Sequence, residues 1–160
     1  MIGIDTFSWY KLLRLQNEGW KPLISDVVKK SDFFITHEVK IELEHRFPED
    51  NDLFEWVTTL PKLEFDKQDY KKKGFDAADA SLLEYNRIKG FTIITEDFPM
   101  IDEGISGQMK IIQLADFFGL LVRSNFIDKR EFYHLIKKLR KMRNITKRKE
   151  KWLMDLRTSK

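Results

Sequence analysis

The chain has 160 residues, of which 42% are apolar and 34% charged, enough for one domain with a substantial core and a heavily charged surface. It contains no cysteine, which excludes disulfides and thiolate metal sites and fits a reducing compartment. No apolar run approaches the ~18–20 residues needed to span a bilayer, and the opening residues lack a basic stretch ahead of an apolar one, so neither a membrane span nor a secretory signal is expected and the expected localisation is cytoplasmic.

The net charge of +3 is unevenly held: residues 121–160 carry 14 Lys/Arg against 4 Asp/Glu, whereas residues 1–120 carry 15 against 22. An acidic body beside a basic tail suits metal-assisted chemistry on a polyanion.

Taken in chain order, short apolar runs predict strands near residues 1–5, 32–35, 62–65, 91–95 and 109–112. Between them, helical spacing predicts helices near 7–17, 20–30, 36–47, 50–59, 75–89, 97–104, 113–123, 128–143 and 146–157. Thr36 reads as a helix N-cap, Pro61 as a block to the fourth helix, Gly90 as a C-cap and Asp128 to Glu131 as a capping box. The βαβ rhythm predicts an α/β fold of three layers, α/β/α, around a central, mostly parallel sheet of about five strands, plus C-terminal helices. No linker or repeat interrupts it, so residues 1–160 read as a single domain with a core to about 123 and a basic helical extension over about 124–160.

Four acids stand out by position. Asp5 follows the run Met1-Ile2-Gly3-Ile4, and Asp97 follows Phe91 to Thr95 with only Glu96 between, so both lie just past the carboxyl ends of expected strands, where α/β sheets bind ligands. Glu42 lies on a helix beside the apolar face of Val39, Leu43 and Phe47, with Arg46 one turn on as a partner. Asp79 interrupts an apolar helix face near Leu82 and Leu83, whereas Asp76 reads as a cap. Thr6, Ser8 and Thr95 supply hydroxyls near the strand ends, suited to hydrogen-bonding a carboxylate or a metal-bound water.

Clustered carboxylates repel unless a cation intervenes, and an all-oxygen donor set favours Mg²⁺ or Mn²⁺ over Zn²⁺. Such an ion can activate water against a phosphodiester. His37, His45 and His134 have no HExxH or triad context, and the chain has neither a Walker A loop nor GxGxxG.

Together Ile4-Asp5-Thr6-Phe7-Ser8, Ile35-Thr36 through Glu42-Leu43, Ala78-Asp79-Ala80 and Thr95-Glu96-Asp97 resemble the four acidic motifs of PIN domains, over about residues 1–120. The resemblance implies a Mg²⁺- or Mn²⁺-dependent ribonuclease with Asp5, Glu42, Asp79 and Asp97 catalytic and Asp5, Asp79 and Asp97 on the metal. The chain length is similar to that of VapC-type toxins, which implies an RNA substrate, a cognate antitoxin and a homodimer. Phe98-Pro99-Met100, where the family often carries another acid and an aromatic, and the long basic tail depart from that pattern. The alternatives are a noncatalytic RNA-binding or regulatory protein and a housekeeping RNA-processing nuclease.

Two surfaces complete the expectations. Leu12, Leu13, Leu15 and Trp20 exceed what one helix face needs, which predicts a homodimer or antitoxin contact. In the tail, Phe132, Leu135, Ile136, Leu139 and Met142 should be buried, leaving Lys137, Lys138, Arg140, Lys141, Arg143, Lys147 and Arg148, with Lys149 and Lys151, to contact RNA phosphates.

Overall fold

The computed structural model describes residues 1–47 and 53–156. The chain divides into two compact units, Met1–Ile111 and Ile112–Lys160.

In the first unit β1 (Ile2–Ile4) leads into α1 (Thr6–Leu15) and α2 (Lys21–Lys30), joined by a π-type segment, Gln16–Trp20. Gly19 takes φ +98° in that segment, a conformation only glycine adopts without strain, and this separates the two helices. β2 (Phe33–Thr36), α3 (His37–Arg46), β3 (Thr58–Leu60), α4 (Gln68–Lys72), α5 (Ala77–Lys89), β4 (Thr92–Ile94) and α6 (Phe98–Ser106) follow, and β5 (Ile111–Ile112) straddles the division between the units in the sequence.

The strands form one parallel sheet in the order β3-β2-β1-β4-β5, flanked by helices, as the α/β pattern predicts. β1 pairs with β2 on one side, through Gly3↔Phe34, and with β4 on the other, through Gly3↔Ile93. The chain runs from β1 outward to β2 and β3, then returns across the sheet to β4. The β1/β4 pair is therefore the switch point at whose carboxyl end a crevice opens. Ile4, Phe33, Phe34, Ile35, Ile93 and Ile94 are all buried, which explains the near-continuous apolar runs of these strands. A Cβ on Gly3 would lie 2.7 Å from Phe34 Cζ, so the central strand passes this ring only without a side chain.

The expected caps are present. Thr36 accepts from the Val39 N–H, Gly90 takes the left-handed conformation at φ +66° after α5, and Asp128 and Glu131 form a reciprocal capping box.

Three expectations change. The helix over 50–59 is replaced, within the described residues, by a single 3-10 turn at Phe54–Trp56 and by β3; residues 50–52 lie outside them. The strand expected at 62–65 lies instead at Thr58–Leu60, where the sequence is β-branched and where Pro61, without an N–H to donate, follows at the end of the ladder. α4 was not foreseen because Gln-Asp-Tyr-Lys-Lys has no apolar period, and the structure buries none of its residues.

Leu12, Leu13 and Leu15 are 3% exposed or less, which removes them from the expected docking contact: α1 buries more than one face, so its leucines belong to the chain's own core, while Trp20 is half-buried.

The second unit comprises α7 (Leu114–Arg123), α8 (Lys129–Lys141) and α9 (Lys147–Leu156). α7, which the sequence places with the core to about 123, thus groups with the basic helices. Phe117, Phe118, Phe132, Leu135, Ile136, Leu139 and Leu153 are buried, and Met142, at the C-cap of α8, is only half-buried. Residue 157 of the expected last helix lies outside the described residues.

Candidate functional site

Asp5 leaves β1 at its carboxyl end, where its N–H donates to the Ile94 carbonyl at 3.1 Å and ties it to the end of β4. It is the N-cap of α1: Oδ1 accepts the Ser8 N–H at 2.6 Å, and Oδ2 accepts the Thr95 hydroxyl. The carboxylate is only 4% exposed, and burial raises its pKa against the lowering effect of these hydrogen bonds. Ser8, expected to offer a hydroxyl, thus contributes its backbone N–H.

Thr95 also accepts the Asp97 N–H at 3.0 Å, which orients the chain as it enters α6. Asp97 occupies the N-cap position of α6 yet makes no side-chain capping bond, so its half-buried carboxylate is not consumed by the helix.

Glu42 projects from α3 and is fixed at both oxygens. Thr6 Oγ1 donates to Oε2 at 2.7 Å, and Arg46 Nη2 lies 2.7 Å from Oε1. α3 is fastened to α5 by Thr36 Oγ1 and Ser81 Oγ, 2.6 Å apart. Ser81 gives its proton to the Ala78 carbonyl and Thr36 accepts from Val39, so Thr36 is the donor within the pair.

Asp79 lies in the first turn of α5, behind Asp76, which caps the helix by accepting the Ala78 and Asp79 N–H groups at 2.9 and 3.0 Å. The pKa of Asp79 is pushed up to about 7, first by desolvation and then by the negative charges of Asp76, Asp97, Asp5 and Glu42.

All four expected acids line one cavity of about 480 Å³, together with Asp76 and Glu96. Thr6, Phe7, Tyr10, Arg46 and Phe47 complete the wall. The acids converge on a shared cavity rather than on one point: among the described residues, no group of three or more His, Asp or Glu side chains has the geometry to hold a metal ion as it stands. Asp5 already accepts one hydrogen bond on each oxygen, from Ser8 and from Thr95, which leaves one lone pair on each, and Arg46 draws Glu42 into an ion pair.

Several lining residues escaped the sequence reading. Glu96, between Thr95 and Asp97, lines the crevice as well, and it too adjoins a strand end. Phe7 and Tyr10, at i and i+3, and Phe47 form an aromatic wall, in which the Tyr10 and Phe47 rings stack with centroids 4.9 Å apart. Phe7 is 54% exposed, a signal burial alone reveals.

In the second unit the expected phosphate-binding residues are not equally free. Lys141, Arg143, Lys147 and Arg148 are exposed, but Lys137 and Arg140 both approach Glu150, at 2.7 and 3.8 Å, and Lys138 and Arg140 are half-buried.

Fold and cavity define an α/β protein with an acidic crevice at the carboxyl ends of adjacent parallel strands. No family model matches the chain, and neither a curated protein nor a solved structure does.

Proposed function

We propose that this crevice is the active site of a Mg²⁺- or Mn²⁺-dependent endoribonuclease. The observation that carries the reading is the delivery of Asp5, Glu42, Asp79 and Asp97 from four separate elements to one cavity, with Asp79 raised to about 7 by its acidic neighbours. Keeping several carboxylates together at neutral pH is costly without a positive charge, and an oxygen-only donor set suits a hard divalent cation.

Asp5, Asp79 and Asp97 are the groups that would hold the ion. A bound ion supplies water of lowered pKa and charge neutralisation at a phosphodiester. Glu42, outside that set and oriented by Thr6, is the group left to accept a proton from the attacking water. Thr95 holds Asp5 and the Asp97 backbone in register. Substrate would be RNA, with the exposed cations of α8 and α9 contacting phosphates without reading sequence.

Within this class we favour a VapC-like toxin, held by a cognate antitoxin and acting as a homodimer in the cytoplasm, over a housekeeping RNA-processing nuclease. The Arg46–Glu42 ion pair supports a second reading, a noncatalytic RNA-binding protein whose acids are already partly neutralised.

Incubation of the pure protein with structured and unstructured RNAs in Mg²⁺, Mn²⁺ or chelator, beside Asp5→Asn, separates the readings. The nuclease requires cleavage that depends on the ion and falls by about two to three orders of magnitude in the variant. Asparagine retains a capping oxygen, so the fold should survive. Metal-independent binding without cleavage would leave the noncatalytic reading standing.

A further inference from the structure

Helix α9 opens Lys147-Arg148-Lys149-Glu150-Lys151-Trp152, and Arg148 and Trp152, four residues apart, share one face. They line a shallow cavity of about 360 Å³ with Thr146 and Lys149. Arg148 also borders a second cavity of about 640 Å³, lined by Lys137, Lys147, Glu150, Lys151 and Met154.

Three observations set this face apart from a merely solvated basic helix. Trp152 is 50% exposed, next to the fully buried Leu153, so a large planar apolar ring stands in water among cations. The ring is braced: Lys149 Nζ lies 4.8 Å from its centroid, and Asp116 holds that ammonium in turn. Much of the positive charge is unpaired: among the described residues Glu150 is the one acid lining either cavity, and it is only 13% exposed and already serves Lys137 and Arg140. Lys147, Arg148 and Lys151 are exposed and have no ion-pair partner among the described residues.

We infer that Trp152 and Arg148 form a subsite for an unpaired nucleotide of single-stranded nucleic acid, the base stacking on the indole and the adjoining phosphate resting against the Arg148 guanidinium. Lys147 and Lys151 extend the positive track along the strand. A free base has an open π-face for the indole, whereas a base within a duplex has both faces covered by its neighbours. An acidic protein surface would satisfy the cations but gives the braced ring no planar partner. This inference rests on the nucleic-acid part of the proposed function and is independent of cleavage.

The test is fluorescence anisotropy of the full-length protein with a labelled oligouridylate and a labelled RNA duplex of equal length, titrated over a range of salt in chelator to prevent hydrolysis. Trp152→Ala should weaken oligouridylate binding by about tenfold with its salt slope unchanged, while Trp152→Phe keeps most of the affinity. Duplex binding should change less than about twofold in Trp152→Ala, since the indole has no exposed base to meet. Arg148→Gln, at an exposed position, should lower the magnitude of the logarithmic salt slope by about 0.7, whatever the effect of the tryptophan change on folding.

Equal binding of oligouridylate by the wild type and Trp152→Ala would overturn the subsite, as would an equal loss for single strand and duplex. Preference of the wild type for poly-glutamate over oligouridylate at matched salt would show an acidic-protein dock instead. Absence of cleavage in Mg²⁺ would sink the nuclease and leave this measurement untouched.

Discussion

The Thr95 hydroxyl donates to Asp5 across 90 positions of sequence and accepts the backbone N–H of Asp97, so one side chain at the end of β4 coordinates two acids of the crevice. The contact is buried, and its loss has a definite cost. Thr95→Val keeps the shape but leaves Asp5 with desolvation uncompensated on one oxygen, which should destabilise the fold by about 1–3 kcal/mol in denaturant melts and raise the pKa of Asp5 further. Thr95→Ser should restore most of the loss; equal destabilisation by both changes would show that packing, not the hydroxyl, matters.

Asp79 makes stability depend on pH in a direction opposite to that of most carboxylates. Its folded pKa, about 7, lies above the ordinary value of 3.8, so between these values the native state binds the extra proton and stability falls as pH rises. The contribution is present in full below the unfolded pKa and is lost as pH passes through the folded one. Asp79→Asn should therefore gain on the wild type from about pH 4 to about pH 7 and hold a constant advantage above it, about 1–3 kcal/mol once solvent screening of a half-buried group is allowed for. Chemical melts at several pH values measure the difference directly, and a pH-independent gap would contradict the electrostatic origin.

Arg46 is the only cation among the described residues that line the crevice, and it competes for Glu42 with anything positive that enters. Arg46→Ala should cost less than about 1 kcal/mol of stability, because the guanidinium is 60% exposed. It should also tighten Mn²⁺ binding several-fold in calorimetric titration, as the net charge of the cavity becomes more negative. Weaker Mn²⁺ binding in this variant would mean that Arg46 organises the acids rather than opposing the ion.

Gly3 tests the sheet beneath the site. A methyl group there would meet the Phe34 ring at 2.7 Å, and that ring is held against Tyr85 and Phe91 at centroid distances of 6.0 and 5.2 Å. Gly3→Ala should lower stability by about 1–3 kcal/mol through overpacking of the central strand. A melt matching the wild type would show that Phe34 can withdraw freely.

The strands around Ile4, Phe34 and Ile93 were legible because a strand buried on both faces needs an almost unbroken apolar run, and the caps at Thr36, Gly90 and Asp128 because each solves a local backbone problem with a characteristic residue. The four acids could be named for the same reason: Asp5 and Asp97 sit at strand ends, Glu42 adjoins the buried face of Val39 and Leu43, and Asp79 breaks an apolar face. What local pattern could not supply was partnership. Trp9 stacking on Phe54 belongs to a stretch where the spacing suggests helix, β3 is defined by pairing with β2, and the leucines of α1 are internal because the fold surrounds them. The Arg46 and Thr6 contacts to Glu42, the aromatic wall and the raised pKa of Asp79 likewise depend on side chains brought together from distant positions. Residue type and periodicity record what each segment must bury or cap, whereas distance, register and the field of neighbouring charges come into being only when the segments pack.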